Sequence, residues 1–249
     1  MGQLRKKRKR NQRILYFKKF CIFSFLAVLL WTSLNFVERK GHEPAFDKIE
    51  MEAAGCPESL IELAERNPET IEFVNDYENY DGNPDDIDIS KDVRKGKIPL
   101  FLQWDERWGY EKYGDDFLAV TGCGPTCLSM VYCGLTQDTD MNPYTLARKA
   151  EADGFYVEGS GSEWSMMDVL AGELGLDVHT VIFDEEHIKT ELNQGRPVIC
   201  VMGPGDFTTT GHFIVLTGVS DDGKIMIHDP NIKINSEKEW ALVDLMTQI

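Results

Sequence analysis

The feature that most restricts the fold of this chain is an apolar stretch near its amino terminus. Residues 20–37 are 18 consecutive residues without a charge, and a helix of that length just crosses the ~30 Å hydrocarbon core of a bilayer. The preceding residues 1–19 contain nine Lys or Arg and no Asp or Glu, and such positive flanks stay in the cytoplasm. The sequence therefore predicts a basic cytoplasmic tail, one transmembrane helix, and an extracytoplasmic remainder anchored to the cell membrane.

A cleaved signal peptide is the alternative interpretation of this stretch. The apolar part of a signal peptide is normally shorter and ends in small residues of the Ala-x-Ala kind. Residues 34–37 instead read Leu-Asn-Phe-Val. The pattern favours an uncleaved signal-anchor helix and leaves cleavage open as the second possibility.

The charge of the chain is distributed very unevenly. Subtracting the nine basic residues of the tail from the total of 26 leaves 17, against 42 acidic residues, so the chain beyond the tail carries a net charge of about −25. A nucleic-acid-binding domain needs a basic face. The composition therefore argues against nucleic acid as a partner, and the anchor accounts for the basic tail.

Two regions follow the anchor. Residues 38–96 are acidic and predict a stalk with short helices that begin at Pro57 and Asn67, because Pro at the first helical position and an Asn cap are helix-start signals. Within it, residues 81–92 place some carboxylates at calcium-loop positions but lack the required Gly and final Glu. We interpret that run as a solvated linker. Residues 97–249 then form the main folded domain.

The order of predicted elements in the main domain indicates the α+β class, since helices come first and an antiparallel sheet follows. A capping-box pattern at 236–239 predicts one more helix near the carboxyl end. The predicted helices cover 124–134, 143–152, 163–173 and 185–194, and the predicted strands cover 99–102, 197–202, 212–219 and 224–229.

Cys123 is the first candidate for chemistry. It lies between Gly122 and Gly124, and Pro125 then opens an apolar helix. A thiol at a helix start is more easily ionised, and the thiolate is the nucleophile. Backbone N–H groups at such a helix start can also stabilise an oxyanion. From this segment alone, a small buried cysteine or half of a disulfide is equally compatible with the pattern.

His212 is the second candidate, because it opens an apolar strand that a hairpin turn connects to the next strand. Pairing centred near Asp221 places His212 opposite Asp229 or Asn231, which share one strand face. Either side chain could orient the imidazole beside a helix-start cysteine, as in a Cys-His-Asp relay. We favour Asp229, since charge-assisted hydrogen bonds are stronger and Pro230 keeps its preceding residue extended.

The remaining cysteines do not predict a metal site or any other cofactor site. Cys123, Cys127 and Cys133 have a spacing that suggests zinc, but side chains along one helix point in different directions and cannot converge tetrahedrally. One disulfide is possible outside the cell. Its pairing is left open among Cys56, Cys127, Cys133 and Cys200.

Four segments in order resemble a known family. They are 98–105 (Ile-Pro-Leu-Phe-Leu-Gln-Trp-Asp), 122–126 (Gly-Cys-Gly-Pro-Thr), 211–215 (Gly-His-Phe-Ile-Val) and 228–231 (His-Asp-Pro-Asn). Together they resemble the bacteriocin-processing (double-glycine leader) peptidase-like family, whose members are papain-like cysteine peptidases. The resemblance spans about residues 97–233.

The resemblance implies a papain-like α+β fold and a role for each matching residue. It implies Cys123 as nucleophile, His212 as general base, Asp229 as the group that orients the imidazole, and Gln103 as an oxyanion-hole donor. The interval between Gln103 and Cys123 is longer than in papain. Gln103 therefore departs from the papain spacing.

One departure affects the expected substrate. Family members that mature bacteriocins are cytoplasmic domains joined to a transporter ATPase, whereas this chain has no phosphate-binding loop motif and one apolar span. A double-glycine leader is therefore not implied. We expect a membrane-anchored extracytoplasmic cysteine peptidase acting on a peptide or protein, and no residue pattern specifies an oligomeric state.

Two alternatives remain for the function. The same triad could cleave an amide in cell-wall peptide or transfer an acyl group. A catalytically inactive, peptidase-like binding module is the other alternative, although a module without chemistry has no need of Cys123, His212 and Asp229 together.

Overall fold

The structure is a computed structural model that describes residues 46–81, 84 and 87–249. The predicted anchor at 20–37, its basic tail and four residues of the acidic run 81–92 lie outside the described residues. Within the part that is described, no helix is both long enough and apolar enough to cross a membrane.

Helices dominate the first part of the described chain and a sheet dominates the last part. The helices are α1 (Lys48–Ala53), α2 (Glu58–Arg66), α3 (Ile71–Asn75), α4 (Leu118–Thr121), α5 (Cys123–Thr136), α6 (Pro143–Ala152), α7 (Met166–Glu173), α8 (Glu185–Asn193), α9 (Lys233–Ser236) and α10 (Leu242–Met246). The strands are β1 (Lys112–Tyr113), β2 (Asp116–Phe117), β3 (Tyr156–Val157), β4 (Gly161–Ser162), β5 (Val198–Met202), β6 (His212–Val219), β7 (Ile225–His228) and β8 (Glu239–Trp240). The mixture of helix and sheet expected from the sequence is confirmed.

The first three helices, here called the amino-terminal helices (residues 46–80), pack against the chain just before α5. Leu60 and Ile61 of α2 and Phe73 of α3 are buried in an apolar cluster that also contains Tyr110. The rings of Phe73 and Tyr110 stack with centroids 4.1 Å apart, and the Tyr110 hydroxyl donates to the Phe73 carbonyl at 2.5 Å. These contacts join the amino-terminal helices to the main domain.

Helix α5 forms the centre of the largest apolar cluster. Its residues from Gly124 to Gly134 are all buried, and a helix that is apolar all round belongs in a protein interior. The sheet lies on one side of it and α6 on another. The helix ends at Thr136 and is followed by Gln137, which adopts a left-handed backbone conformation with φ of 65°.

The main sheet is antiparallel, with strand order β5-β6-β7-β8. Strand β6 alternates between two apolar layers, as the period of two requires. Phe213 and Val215 belong to the α5 cluster, whereas Ile214 and Leu216 belong to a second cluster with α8 and α10. The strand is therefore buried on both faces, and His212 at its first position is fixed by its neighbours.

Two predicted elements differ in the structure. Residues 99–102 are not a strand, because no second strand in the described part of the chain pairs with them. The helix predicted from residue 163 begins at Met166, because Gly161 and Ser162 pair with β3 as strand β4. Strand pairing thus decides both cases: residues 99–102 lack a partner strand in the described residues, whereas residues 161–162 have one.

The capping box predicted at 236–239 is wrong. The Ser236 hydroxyl accepts a hydrogen bond from the Asp229 backbone N–H at 2.9 Å, and Glu239 lies in the edge strand β8. The last helix, α10, begins only at Leu242. The Ser236 side chain thus supports the segment that carries Asp229.

Candidate active site

Cys123 occupies the first position of α5, as the Gly-Cys-Gly-Pro pattern predicts. The two flanking glycines are required by close packing. A Cβ atom on Gly122 would lie 2.4 Å from the Leu118 carbonyl oxygen, and one on Gly124 would lie 2.5 Å from the Ser162 hydroxyl. The half-buried thiol therefore lies at a helix start whose backbone can approach neighbouring elements closely.

His212 connects Cys123 to Asp229. Its ring is 7% exposed, and Nε2 lies 2.8 Å from Asp229 Oδ1. The side chains of His212 and Cys123 are also hydrogen-bonded. Because Asp229 occupies Nε2, Nδ1 is the ring nitrogen that remains for the thiol. The structure thus brings together three of the four predicted site residues.

Asp229 is fully buried, and four donors satisfy its carboxylate. Oδ1 accepts from His212 Nε2 and from the backbone N–H groups of Asn231 at 2.9 Å and Ile232 at 3.1 Å. Oδ2 accepts from Asn235 Nδ2 at 2.8 Å. A buried charge is tolerated only when it is paired and hydrogen-bonded, and this arrangement meets that condition.

The strand register explains why Asp229 faces His212. The ladder between β6 and β7 ends with the pair Val215 and His228. Continuing that register would place His212 opposite Asn231. Since β7 ends at His228, the following chain leaves the ladder, and Asp229 contacts the imidazole while the Asn231 side chain faces the amino-terminal helices.

The charge states in this cluster support one another. Burial raises the pKa of the Cys123 thiol, but the hydrogen bond and positive charge of His212 outweigh it, so the pKa is lowered. Burial likewise disfavours charged His212, yet Asp229 and Cys123 raise its pKa. Burial opposes ionised Asp229, but His212 and Asn235 lower its pKa. A thiolate–imidazolium pair beside a carboxylate is therefore the favoured state.

All other described cysteines are free and less ionisable. No disulfide joins any of the five cysteines in the described residues, so the disulfide considered from the sequence is not formed there. Burial raises the pKa of Cys56 and Cys133 to about 11 and that of Cys200 to about 12. The pKa of Cys127 is also raised. Among these five cysteines, Cys123 alone is shifted toward the thiolate.

Gln103 lies between α4 and the segment that carries Asp229. Its backbone N–H donates to the Pro230 carbonyl at 2.8 Å. Its side-chain Nε2 donates to the Ala119 carbonyl at 2.6 Å and lies 3.4 Å from that of Val120, while buried Oε1 has no partner among the described residues. A role for Gln103 as oxyanion donor requires one N–H to turn away from α4.

Two of the groups that hold Asp229 carry no signal in the sequence. The Asn235 side chain donates to the Asp229 carboxylate, and the Ser236 hydroxyl accepts from the Asp229 backbone N–H. Only the bend after β7 brings them near, so no local pattern could have identified them. Among the described residues, no group of His, Cys, Asp and Glu side chains is arranged to hold a metal ion.

Comparison with known proteins identifies the family. The model of the Peptidase_C39 like family matches residues 95–247. No curated protein and no solved structure matches the chain. The family match covers more than half of the chain and contains Cys123, His212 and Asp229. It confirms the resemblance found in the sequence, and the chain belongs to the Peptidase_C39 like family of cysteine peptidases.

Proposed function

We propose that this chain is a membrane-anchored extracytoplasmic peptidase of papain-like fold that cleaves peptide bonds with Cys123, His212 and Asp229. The observation that carries the proposal is that His212 interacts with both the Cys123 thiol and the Asp229 carboxylate. A thiol at a helix start is hydrogen-bonded to an imidazole, whose far nitrogen lies 2.8 Å from a buried carboxylate. Such a nucleophile–base–orienter arrangement suits acyl transfer.

In the first half of the reaction, the Cys123 thiolate attacks the carbonyl carbon of the scissile peptide bond. The oxyanion accepts hydrogen bonds from the backbone N–H at the start of α5 and from Gln103, once the Gln103 amide turns from α4. The imidazolium of His212 then gives its Nδ1 proton to the leaving amine. The C–N bond breaks, the amine product departs, and a thioester to Cys123 remains.

In the second half, water hydrolyses the thioester. His212 Nδ1 takes a proton from the attacking water, and the oxygen bonds to the acyl carbon. The C–S bond then breaks, the acid product departs, and the thiolate–imidazolium pair is restored. Asp229 stays ionised throughout and stabilises each imidazolium state through Nε2.

Two further observations support the fold and the location. Helix α5, which carries Cys123, packs against the sheet that carries His212, and this two-part construction is what a papain-like site needs. The charge-free stretch 20–37 with its strongly basic flank supports an anchor whose following domain faces outward.

The proposal is tested with the full-length chain and a mixture of peptides of known sequence, in which new termini are detected by mass spectrometry. We expect cleavage by the wild type and a loss of roughly 1000-fold or more in the Cys123→Ala variant. Cys133→Ala is the matched control, because it removes a buried thiol from the same helix. It should retain activity.

Other outcomes would contradict the peptidase proposal and favour one of its rivals. Acyl products formed on added amines would indicate a transferase, and cleavage restricted to cell-wall peptide would indicate an amidase. Binding of peptides without any new termini, unchanged by Cys123→Ala, would indicate an inactive binding module.

A further inference from the structure

Asn67 and Glu69 lie outside the residues that match the family, yet they contact the segment 229–236 that carries Asp229. We propose that both are positioning residues for the Cys123 site and that the amino-terminal helices are part of the functional unit. The inference deepens the proposed peptidase function and rests on it for its consequence in catalysis.

Asn67 holds the backbone of this segment directly. Its side chain is 3% exposed, and Nδ2 donates to the Asn231 carbonyl at 2.7 Å. The indole of Trp104 donates to the same carbonyl at 2.7 Å. Asn67 Oδ1 accepts from the Glu69 backbone N–H at 3.1 Å. The amide oxygen thus caps the helical turn that follows Asn67, while the amide nitrogen holds the segment 229–236.

Glu69 holds the next part of the segment. Its Oε2 accepts from the Lys233 backbone N–H at 2.6 Å, and its Oε1 accepts from that of Ile234 at 3.0 Å. Two consecutive backbone donors at the start of α9 therefore share one carboxylate. Asn235, the next residue in α9, donates to Asp229 Oδ2.

These contacts form a continuous path to the proposed catalytic residues. The residues that Asn67 and Glu69 hold lie next to the residues that donate hydrogen bonds to Asp229. Asn231 belongs to both groups, because its carbonyl accepts from Asn67 and its backbone N–H donates to Asp229. Asp229 in turn bonds His212. If the segment shifts, the carboxylate shifts with it, and charge-assisted hydrogen bonds weaken as their geometry is lost.

The amino-terminal helices also form a fixed support, which positioning requires. Their apolar cluster includes Phe117 and Ala119 at the start of α4, and α4 leads directly into Cys123. Gln103 bonds the Ala119 carbonyl and, through its backbone, the Pro230 carbonyl. The helices therefore contact the chain on both sides of the site, before the thiol and after the carboxylate.

The first test uses Asn67→Asp in the full-length chain. The Asp side chain can still cap the helical turn, but it replaces the donor to the Asn231 carbonyl with an acceptor. Asn142→Asp is the matched control, because Asn142 is also a buried Asn cap, accepting from Thr145 N–H at 3.0 Å. Among the described hydrogen bonds, its side chain has none to the segment 229–236.

Two measurements report on positioning. One is the pH dependence of Cys123 alkylation by iodoacetamide, followed on its own peptide by mass spectrometry. A less well-held carboxylate stabilises the imidazolium less, so the thiolate forms at higher pH and the alkylation curve should move upward by about half a pH unit. The other is peptide cleavage, where kcat should fall roughly tenfold with KM little changed, because ~1 Å of misplacement is already costly.

The second test uses Glu69 variants, whose result does not depend on whether Asn67→Asp folds. Glu69→Ala removes both acceptor oxygens, whereas Glu69→Gln keeps one. We expect Glu69→Ala to move the alkylation curve in the same direction and Glu69→Gln to restore part of the change. Glu62→Ala is the control from the same helices, since its carboxylate pairs only with Arg66 among the described contacts.

The outcomes separate this inference from the proposed function. If folded Asn67→Asp and Glu69→Ala match their controls in the alkylation curve and in kcat, the positioning role is wrong even though peptide cleavage stands. If the wild type cleaves no peptide but the alkylation curve shifts as expected, the positioning role stands and the peptidase function fails.

Discussion

Replacing Asp229 is the most direct test of how the imidazole is oriented. We expect Asp229→Ala to lower kcat/KM by roughly 10–1000-fold, equivalent to about 1.4–4 kcal/mol. Asn231→Ala should change kcat/KM by only about twofold. It removes a 3.4 Å side-chain contact with Asn67 but keeps the backbone carbonyl that accepts from Asn67 and Trp104. The two variants therefore differ sharply although both positions were candidates from the strand pattern.

The magnitude follows from the four hydrogen bonds of the carboxylate. Its bond with His212 is charge-assisted, and such a bond contributes about 1.5–3 kcal/mol. The same substitution leaves the donors of Asn231, Ile232 and Asn235 without an acceptor, which costs about 1–3 kcal/mol of stability for each one that stays buried. Activity must therefore be expressed per folded molecule.

Asp229→Asn provides a second variant of the same shape. An amide has one acceptor oxygen where the carboxylate has two, so one of the donors around it must lose its partner, but less stability is lost than with Ala. Folding is checked by circular dichroism, kcat/KM by peptide cleavage, and the Cys123 ionisation by alkylation against pH. Without the carboxylate charge, the pKa of His212 falls and that of Cys123 rises, so the alkylation curve moves to higher pH.

One result would refute this reasoning. If Asn231→Ala proves more damaging than both Asp229 variants, or if neither Asp229 variant moves the alkylation curve, the carboxylate is not the orienting group. The orienter would then be an amide, as in the Cys-His-Asn arrangement of papain.

Four further predictions concern other parts of the chain. Cys123 should be the first described cysteine to alkylate at pH ~6, well below the ~8.5 of a free thiol, and earlier labelling of any other would show that the nucleophile is misassigned. Protease added to intact cells should remove residues 38–249 and spare the basic tail, whereas a soluble form that starts just after the apolar stretch would indicate a cleaved signal. Gly124→Ala should destabilise the fold by about 1–3 kcal/mol in thermal or denaturant unfolding, because its Cβ would meet a serine hydroxyl at 2.5 Å, whereas Gly172→Ala, with open space around it, should not. Gln103→Ala should lower kcat by roughly 100–1000-fold with a smaller effect on KM if its amide stabilises the oxyanion, and an unchanged kcat would exclude that role.

Elements with a local cause were predictable from the sequence. The helices predicted at 143–152 and 185–194 each begin at a side-chain cap: Asn142 accepts from Thr145 N–H, and Asp184 accepts from His187 N–H. Strand β6 has the predicted bounds, because the apolar, β-branched run that follows His212 favours a buried strand. The position of Cys123 at a helix start was also predictable, since its flanking glycines and proline restrict the backbone locally.

Elements that depend on distant partners were not predictable. Residues 99–102 have the composition of a strand but meet no partner strand, and the serine of the apparent capping box at 236–239 binds Asp229 instead. Strand β8 contains only two residues and exists because it pairs with β7. In each case the competing local and long-range hydrogen bonds are similar in energy, and the tertiary structure decides between them.

The environment of Asp229 illustrates the same limit for chemistry. A buried carboxylate would take up a proton unless donors offset the loss of solvation, and the donors here come from the start of β6, from the bend after β7 and from α9. These donors come together around the carboxylate only because the chain turns away from the sheet after His228. That turn is itself held by Asn67 and Glu69, about 160 residues earlier in the chain. In the proposed mechanism the family motif supplies the reacting groups, and by our inference the charge state that makes them reactive depends on contacts from outside the motif.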